Sequence, residues 1–146
     1  MMDHHLILRV VTKLLIGPIL LFALYVQFHG EYSPGGGFQA GVIFAVGFIL
    51  YGIVFGLNRL RALVPDWLVH KLVAAGVLIY AGVGVWGLLV GGNYLDYDPL
   101  FADRIDGQHY GIIFIEFGVG LTVFSVMVTI YYAFAGRPPR LDDRDW

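Results

Sequence analysis

Cysteine is absent from this chain of 146 residues, which rules out disulfides, thiolate-held zinc, iron–sulfur clusters and thiol nucleophiles. Charge is nearly as scarce. Asp, Glu, Lys and Arg make up 14% of the residues, against about 25% in soluble domains, so no second, water-facing domain fits beside the apolar segments. Alternation of the kind that builds a membrane barrel is missing, as are internal repeats and low-complexity tracts. No Ser/His/Asp order and no nucleic-acid surface can be defended. Gly35-Gly36-Gly37 lacks the Lys-Ser/Thr ending of a phosphate-binding loop, and the chain does not read as an enzyme. Five histidines remain. His4 and His5 lie at the N-terminus, and His29, His70 and His109 at separate segment ends. No ligand-spaced pair shares a helix, and neither a metal nor a cofactor is expected.

Apolar residues supply 58% of the sequence, concentrated in four runs near 6–28, 38–57, 68–90 and 110–135. A membrane-spanning helix needs about 20 mostly apolar residues, and each run meets that length. The expected fold is an all-α integral membrane protein with four transmembrane helices. It forms one domain over 1–136, followed by a short tail, 137–146. Basic residues set the orientation. Eight of the nine (Arg9, Lys13, Arg59, Arg61, Lys71, Arg137, Arg140 and Arg144) fall on one side of a four-span chain, with only Arg104 opposite. Both termini, the tail and the turn 58–67 are therefore assigned to the cytoplasm, and the segment 29–37 and the loop 91–109 to the outside. No small-x-small cleavage site follows the first run, which exceeds a signal core, so a retained helix is expected. Pro18 inside it predicts a kink.

Glu116 is the one acid inside a span. An ionisable group at that depth is costly unless it faces protein or water, which makes it a functional candidate. With the fourth span starting at 110, Glu116 lies roughly 10 Å from the outer end, and its partner is expected from another subunit, a water path or a bound cation. Two readings stand: a protonatable or cation-attracting site, and a carboxyl buried in a subunit contact. Lys13 and Lys71 also lie within the apolar borders, where a Lys can snorkel its ammonium to the interface or serve a functional role. Gly52-x-x-x-Gly56 and Gly87-x-x-x-Gly91, with Gly76, Gly82 and Gly84, suit close helix packing in lipid. Gly118, Thr122, Ser125 and Thr129 form a further small stripe opposite Glu116. Asp96, Asp98, Asp103 and Asp106 give the loop 91–109 an acidic character. Either a cation-attracting mouth or an ordinary solvated loop accounts for it.

The segment His29-Gly30-Glu31-Tyr32-Ser33-Pro34-Gly35-Gly36-Gly37-Phe38-Gln39-Ala40-Gly41 stands apart. A proline and three glycines suit a chain that bends sharply, packs its backbone closely and then enters a helix. This glycine knuckle lies between the first two of four spans, and there the chain resembles the B subunit of multisubunit Mrp-type Na⁺/H⁺ antiporters. Membrane subunits of ion-translocating hydrogenases share the pattern. The resemblance rests on Pro34, Gly35, Gly36, Gly37, Phe38, Gln39 and Gly41. It implies a bacterial or archaeal cell-membrane complex of several different subunits, in which Na⁺ and H⁺ are exchanged. Other subunits and membrane lipid are then the partners. Pro34 and Phe38 match positions the family uses for assembly or activity. A purely structural linker and a subunit of a redox-driven pump are the alternatives.

Overall fold

The computed structural model describes residues 3–30, 35–100 and 103–137. They fold as α1 (Asp3–Phe28), α2 (Gly37–Phe55), α3 (Leu57–Leu63), α4 (Asp66–Leu89) and α5 (Arg104–Ala135), with one 3-10 turn at Asp98–Leu100. The described residues contain no strand. Four of the helices, all but α3, are long and apolar enough to cross a membrane. The chain is thus an all-α protein with four candidate spans. Arg140, Arg144 and the rest of the expected tail beyond Arg137 lie outside the described residues.

Local chemistry sets the helix ends. Gly36 is extended and caps α2, and its N–H donates to Gln39 Oε1 at 3.0 Å. This is half of a capping box, since glycine has no side chain to supply the other half. Asp103 caps α5 by accepting from the Ile105 N–H at 2.9 Å. That cap starts α5 at Arg104, six residues before the apolar run at 110 begins. Polar Arg104, Asp106, Gln108 and His109 conceal this extension from a hydropathy reading. α1 runs on through Pro18.

The helices form an open row. α5 packs on α2 along one side and on α4 along the other, and α2 in turn carries α1. The two outermost helices, α1 and α4, share no packed interface. Backbone-level contacts hold the row together. A Cβ on Gly76 of α4 would meet the Gly118 carbonyl at 2.7 Å, and one on Gly118 would meet the Gly76 carbonyl at 3.0 Å. On the other side of α5, a Cβ on Gly41 would lie 2.5 Å from the Gly120 carbonyl oxygen. In lipid such small-residue contacts give helices a reason to choose one partner.

The glycine pairs expected to act through GxxxG spacing do so only in part. Gly52 is buried against Leu60 and Tyr131, but Gly56 has φ 101° and Gly91 φ 94°, outside helices and with open space where a Cβ would point. They serve as chain-reversal residues, a conformation glycine adopts without strain. Gly82 likewise faces open space. The segment after Gly56, read as a plain turn, winds into α3 and plugs the basic end of the row. Leu60 is fully buried there with Ala45, Val69, Val128 and Phe124. Phe44 and Phe48 of α2 meet the Phe124 ring edge-on at 5.3 Å each. The Tyr132 hydroxyl donates to the Val64 carbonyl at 2.7 Å. Arg61 lies across the Tyr132 ring at 5.2 Å, with its buried Nε 3.4 Å from Asp66, an ion pair without hydrogen-bond geometry.

Candidate functional site

α1 ends at Phe28 and α2 begins at Gly37, so the knuckle must turn the chain within eight residues. It does so directly against α5. A Cβ on Gly37 would stand 2.7 Å from the carbonyl carbon of Glu116 and 2.9 Å from its Cα. Side chains can swing aside, but a helix backbone cannot, so this position demands glycine. Gly30 and Gly36 bracket the carboxyl itself. A Cβ on Gly30 would lie 2.6 Å from Glu116 Oε1 and 2.8 Å from Cδ, and one on Gly36 3.0 Å from Cδ. The two most prominent features of the sequence, the glycine knuckle and the acid in the fourth span, are therefore one unit.

The electrostatics suit this placement. The first turn of α2 contains no acidic residue, and the free N–H groups of a helix start favour negative charge. Glu116 brings a carboxyl to that end from a neighbouring helix. The carboxyl is half-buried and engaged within this chain, so its partner need not come from elsewhere. Its distance from the helix start differs from the sequence reading: α5 begins at Arg104, which puts Glu116 about 18 Å along it instead of about 10 Å.

Gln27, in the last turn of α1, belongs to the same junction: a Cβ on Gly120 would meet its Oε1 at 2.5 Å. Sequence reasoning passed over Gln27; the available signal was a lone amide closing the apolar stretch that follows Lys13. His29 stacks on Tyr25 at 4.9 Å. Phe38 is exposed and Gly41 buried against α5, while Gly35 is half-exposed. Pro34 lies outside the described residues.

Lys13 and Lys71 are not brought to this site. Lys13 Nζ lies 5.7 Å from the Phe55 ring centre, at the far end of α2. The length of α2 thus separates it from Glu116 by about 28 Å. Lys71 Nζ sits 4.9 Å from the Trp67 ring at the start of α4. Both ammonium groups rest on aromatic rings, Phe55 at the end of α2 and Trp67 at the start of α4. Thr122, Ser125 and Thr129 donate to carbonyls one turn back, at 2.8, 2.7 and 2.8 Å. Their hydroxyls are used locally and form no polar wire along α5.

The loop between α4 and α5 is folded, not merely solvated. A Cβ on Gly111 would meet the Tyr97 ring at 2.6 Å, and one on Gly87 the Asp96 carbonyl at 2.9 Å. Asp98 accepts from Gln108 Nε2 at 2.6 Å and from both Nε and an Nη of Arg104. The Gln108 amide, then the Arg104 guanidinium, hold its carboxyl below the usual carboxylate range. Burial, with Tyr80 nearby, pushes the Tyr97 phenol up. Among the described residues no group of three His, Asp or Glu side chains converges as a metal site would require.

A family model described as a domain related to the MnhB subunit of Na⁺/H⁺ antiporters matches residues 7–129. The mnhB2 protein of Staphylococcus haemolyticus, named for an antiporter subunit, is 33% identical over 140 residues, covering 93% of this chain and 98% of the relative. Its counterpart in Staphylococcus aureus strain Newman is 31% identical over the same span.

Proposed function

Because the chain belongs to the MnhB family of Na⁺/H⁺ antiporter subunits, we propose that it works as one of several different subunits of a cation/proton antiporter in the cell membrane. Its ion-handling element in this reading is Glu116 with the glycines around it. The observation that carries the reading is the carboxyl wedged between Gly30 and Gly36 at the start of α2. A proton or a sodium ion arriving there cancels a charge that the helix start otherwise favours, so both ions compete for one group. Gly36 and Gly37 join that group to α2, which lets a change of charge reach the packing between α2 and α5. The knuckle, Pro34 and Phe38 included, serves in this reading as the assembly surface as well. Its side of the membrane is the outside and the basic end is cytoplasmic, by the distribution of Arg and Lys. The names of the relatives support antiport over redox-driven pumping.

Glu116→Gln tests the reading, since it keeps size and hydrogen bonding and removes the charge. The assembled complex in membrane vesicles is expected to show lower antiport or a weaker apparent sodium affinity. Glu116→Asp is expected to retain part of the activity. Normal transport by Glu116→Gln across the pH range would make the carboxyl purely structural.

A further inference from the structure

The basic end of the row carries more positive charge than its described acids can answer. Asp66 is taken by Arg61, which leaves Asp3, two turns of α1 away from the nearest cation, Arg9. Arg9, Lys13 and Arg59 are exposed and form no ion pair among the described residues. These three gather at one corner. Lys13 Nζ rests on the ring of Phe55, the last residue of α2, and Arg9 lies one turn before Lys13 on the same face of α1. Arg59 is in the first turn of α3, which Gly56 starts directly after Phe55. One step of chain and one helical turn keep its Cα within about 9 Å of that of Phe55. Leu60 points into the core and Arg61 toward Tyr132 and Asp66. At about 100° per residue, Arg59 then falls on the flank of α3 turned away from α4 and α5. In this row that is the flank of α1.

Apolar surface adjoins the corner. The ridge of α1 that carries Arg9 and Lys13 continues every fourth residue through Gly17, Leu21 and Tyr25. Gly17 has open space where a Cβ would point, and beyond it Leu21 and Tyr25 help to line a shallow apolar groove with Pro18 and Phe22. Beside the ridge Leu14 is 69% exposed and Leu15 48%, and such surface needs lipid or protein around it. Where one helix selects another in lipid, small residues line the contact, as Gly76 and Gly118 do between α4 and α5. This side of α1 is bulky apart from the one notch at Gly17, which suits acyl chains better than a partner helix. Cations at one end of an apolar groove match the outline of an anionic phospholipid.

We propose that Arg9, Lys13 and Arg59 hold the phosphate of an anionic phospholipid whose acyl chain follows the Gly17 notch into the groove beyond. Charge-assisted bonds from guanidinium and ammonium groups supply the recognition. Each Lys or Arg beside an anionic lipid contributes about fivefold in affinity, so three of them give roughly a hundredfold preference over a zwitterionic lipid. Phosphatidylglycerol and phosphatidylcholine with the same photoactivatable acyl chain test this on a tagged chain within the assembled complex. Crosslinking by phosphatidylglycerol is expected to exceed that by phosphatidylcholine more than about tenfold and to map to α1. Arg9→Gln, Lys13→Gln and Arg59→Gln together should bring it down to the phosphatidylcholine level. Lys71→Gln, at the start of α4, should leave the ratio unchanged. If the triple variant fails to assemble, Arg59→Gln alone replaces it, with an expected loss of about fivefold. Equal labelling by the two lipids, or a preference that survives the substitutions, would overturn the proposal. Displacement of the phosphatidylglycerol label by inorganic phosphate would also overturn it, assigning the cations to a soluble anion. No label on α1 from either lipid would place a neighbouring subunit there instead.

Discussion

Two substitutions of the same kind, Gly37→Ala and Gly30→Ala, should behave differently, because the first meets backbone and the second a side-chain end. At Gly37 the new methyl would sit 2.7 Å from the Glu116 carbonyl carbon, where carbon atoms prefer about 3.5–4.0 Å. α2 and α5 must separate by roughly 1 Å to relieve it, an overpacking cost of about 1–3 kcal/mol. The helix-propensity gain of Ala over Gly offsets up to about 1 kcal/mol of that. At Gly30 the atoms nearest the methyl are those of the Glu116 carboxyl, with Oε1 at 2.6 Å. A rotamer change clears it for about 0.5–1.5 kcal/mol while moving the carboxyl from its place. Thermal unfolding of the detergent-purified complex, followed by size-exclusion fluorescence, should thus report a clear loss for Gly37→Ala and a small one for Gly30→Ala. Antiport should fall in both. A double-mutant cycle sharpens the test: Glu116→Ala removes the obstacle at Gly30 but leaves the backbone obstacle at Gly37. Relief of both defects by Glu116→Ala, or equal stability of the two single variants, would refute the contact geometry.

The number of spans was legible because apolar runs of membrane length have few other uses. Their ends were less so. α5 begins at Arg104 since Asp103 caps it and Gly107 and Gly111 seat it against Tyr97, and neither event changes the hydropathy of the run. The glycine pairs misled by spacing: a GxxxG pattern cannot distinguish a helix face from a helix followed by a left-handed turn, as Gly56 and Gly91 demonstrate. Gly30, Gly36 and Glu116 each stood out alone, but their contact could not be read. A glycine announces that space is needed without saying for what. Gln27 went unnoticed for the converse reason, because one amide at a helix end is ordinary until its neighbours are known.

Two further tests address the ends of the row. Tyr132→Phe removes the donor to the Val64 carbonyl and should lower the stability of the complex by about 1–2 kcal/mol; an unchanged unfolding temperature would mean that Leu60 and Arg61 hold α3 without this hydrogen bond. At the opposite end, Asp98 links the loop to α5 through Gln108 and Arg104, and its folded value lies below its unfolded one. The bracing is therefore complete above the unfolded value, about pH 4, and disappears as the pH falls through the lower folded value. Amide exchange of residues 98–108 should accelerate over that acid window relative to the intrinsic rate, while Asp98→Asn should show the looser loop already at neutral pH and little further change on acidification. The same acid transition in Asp98→Asn would assign the titration to another carboxylate of the loop.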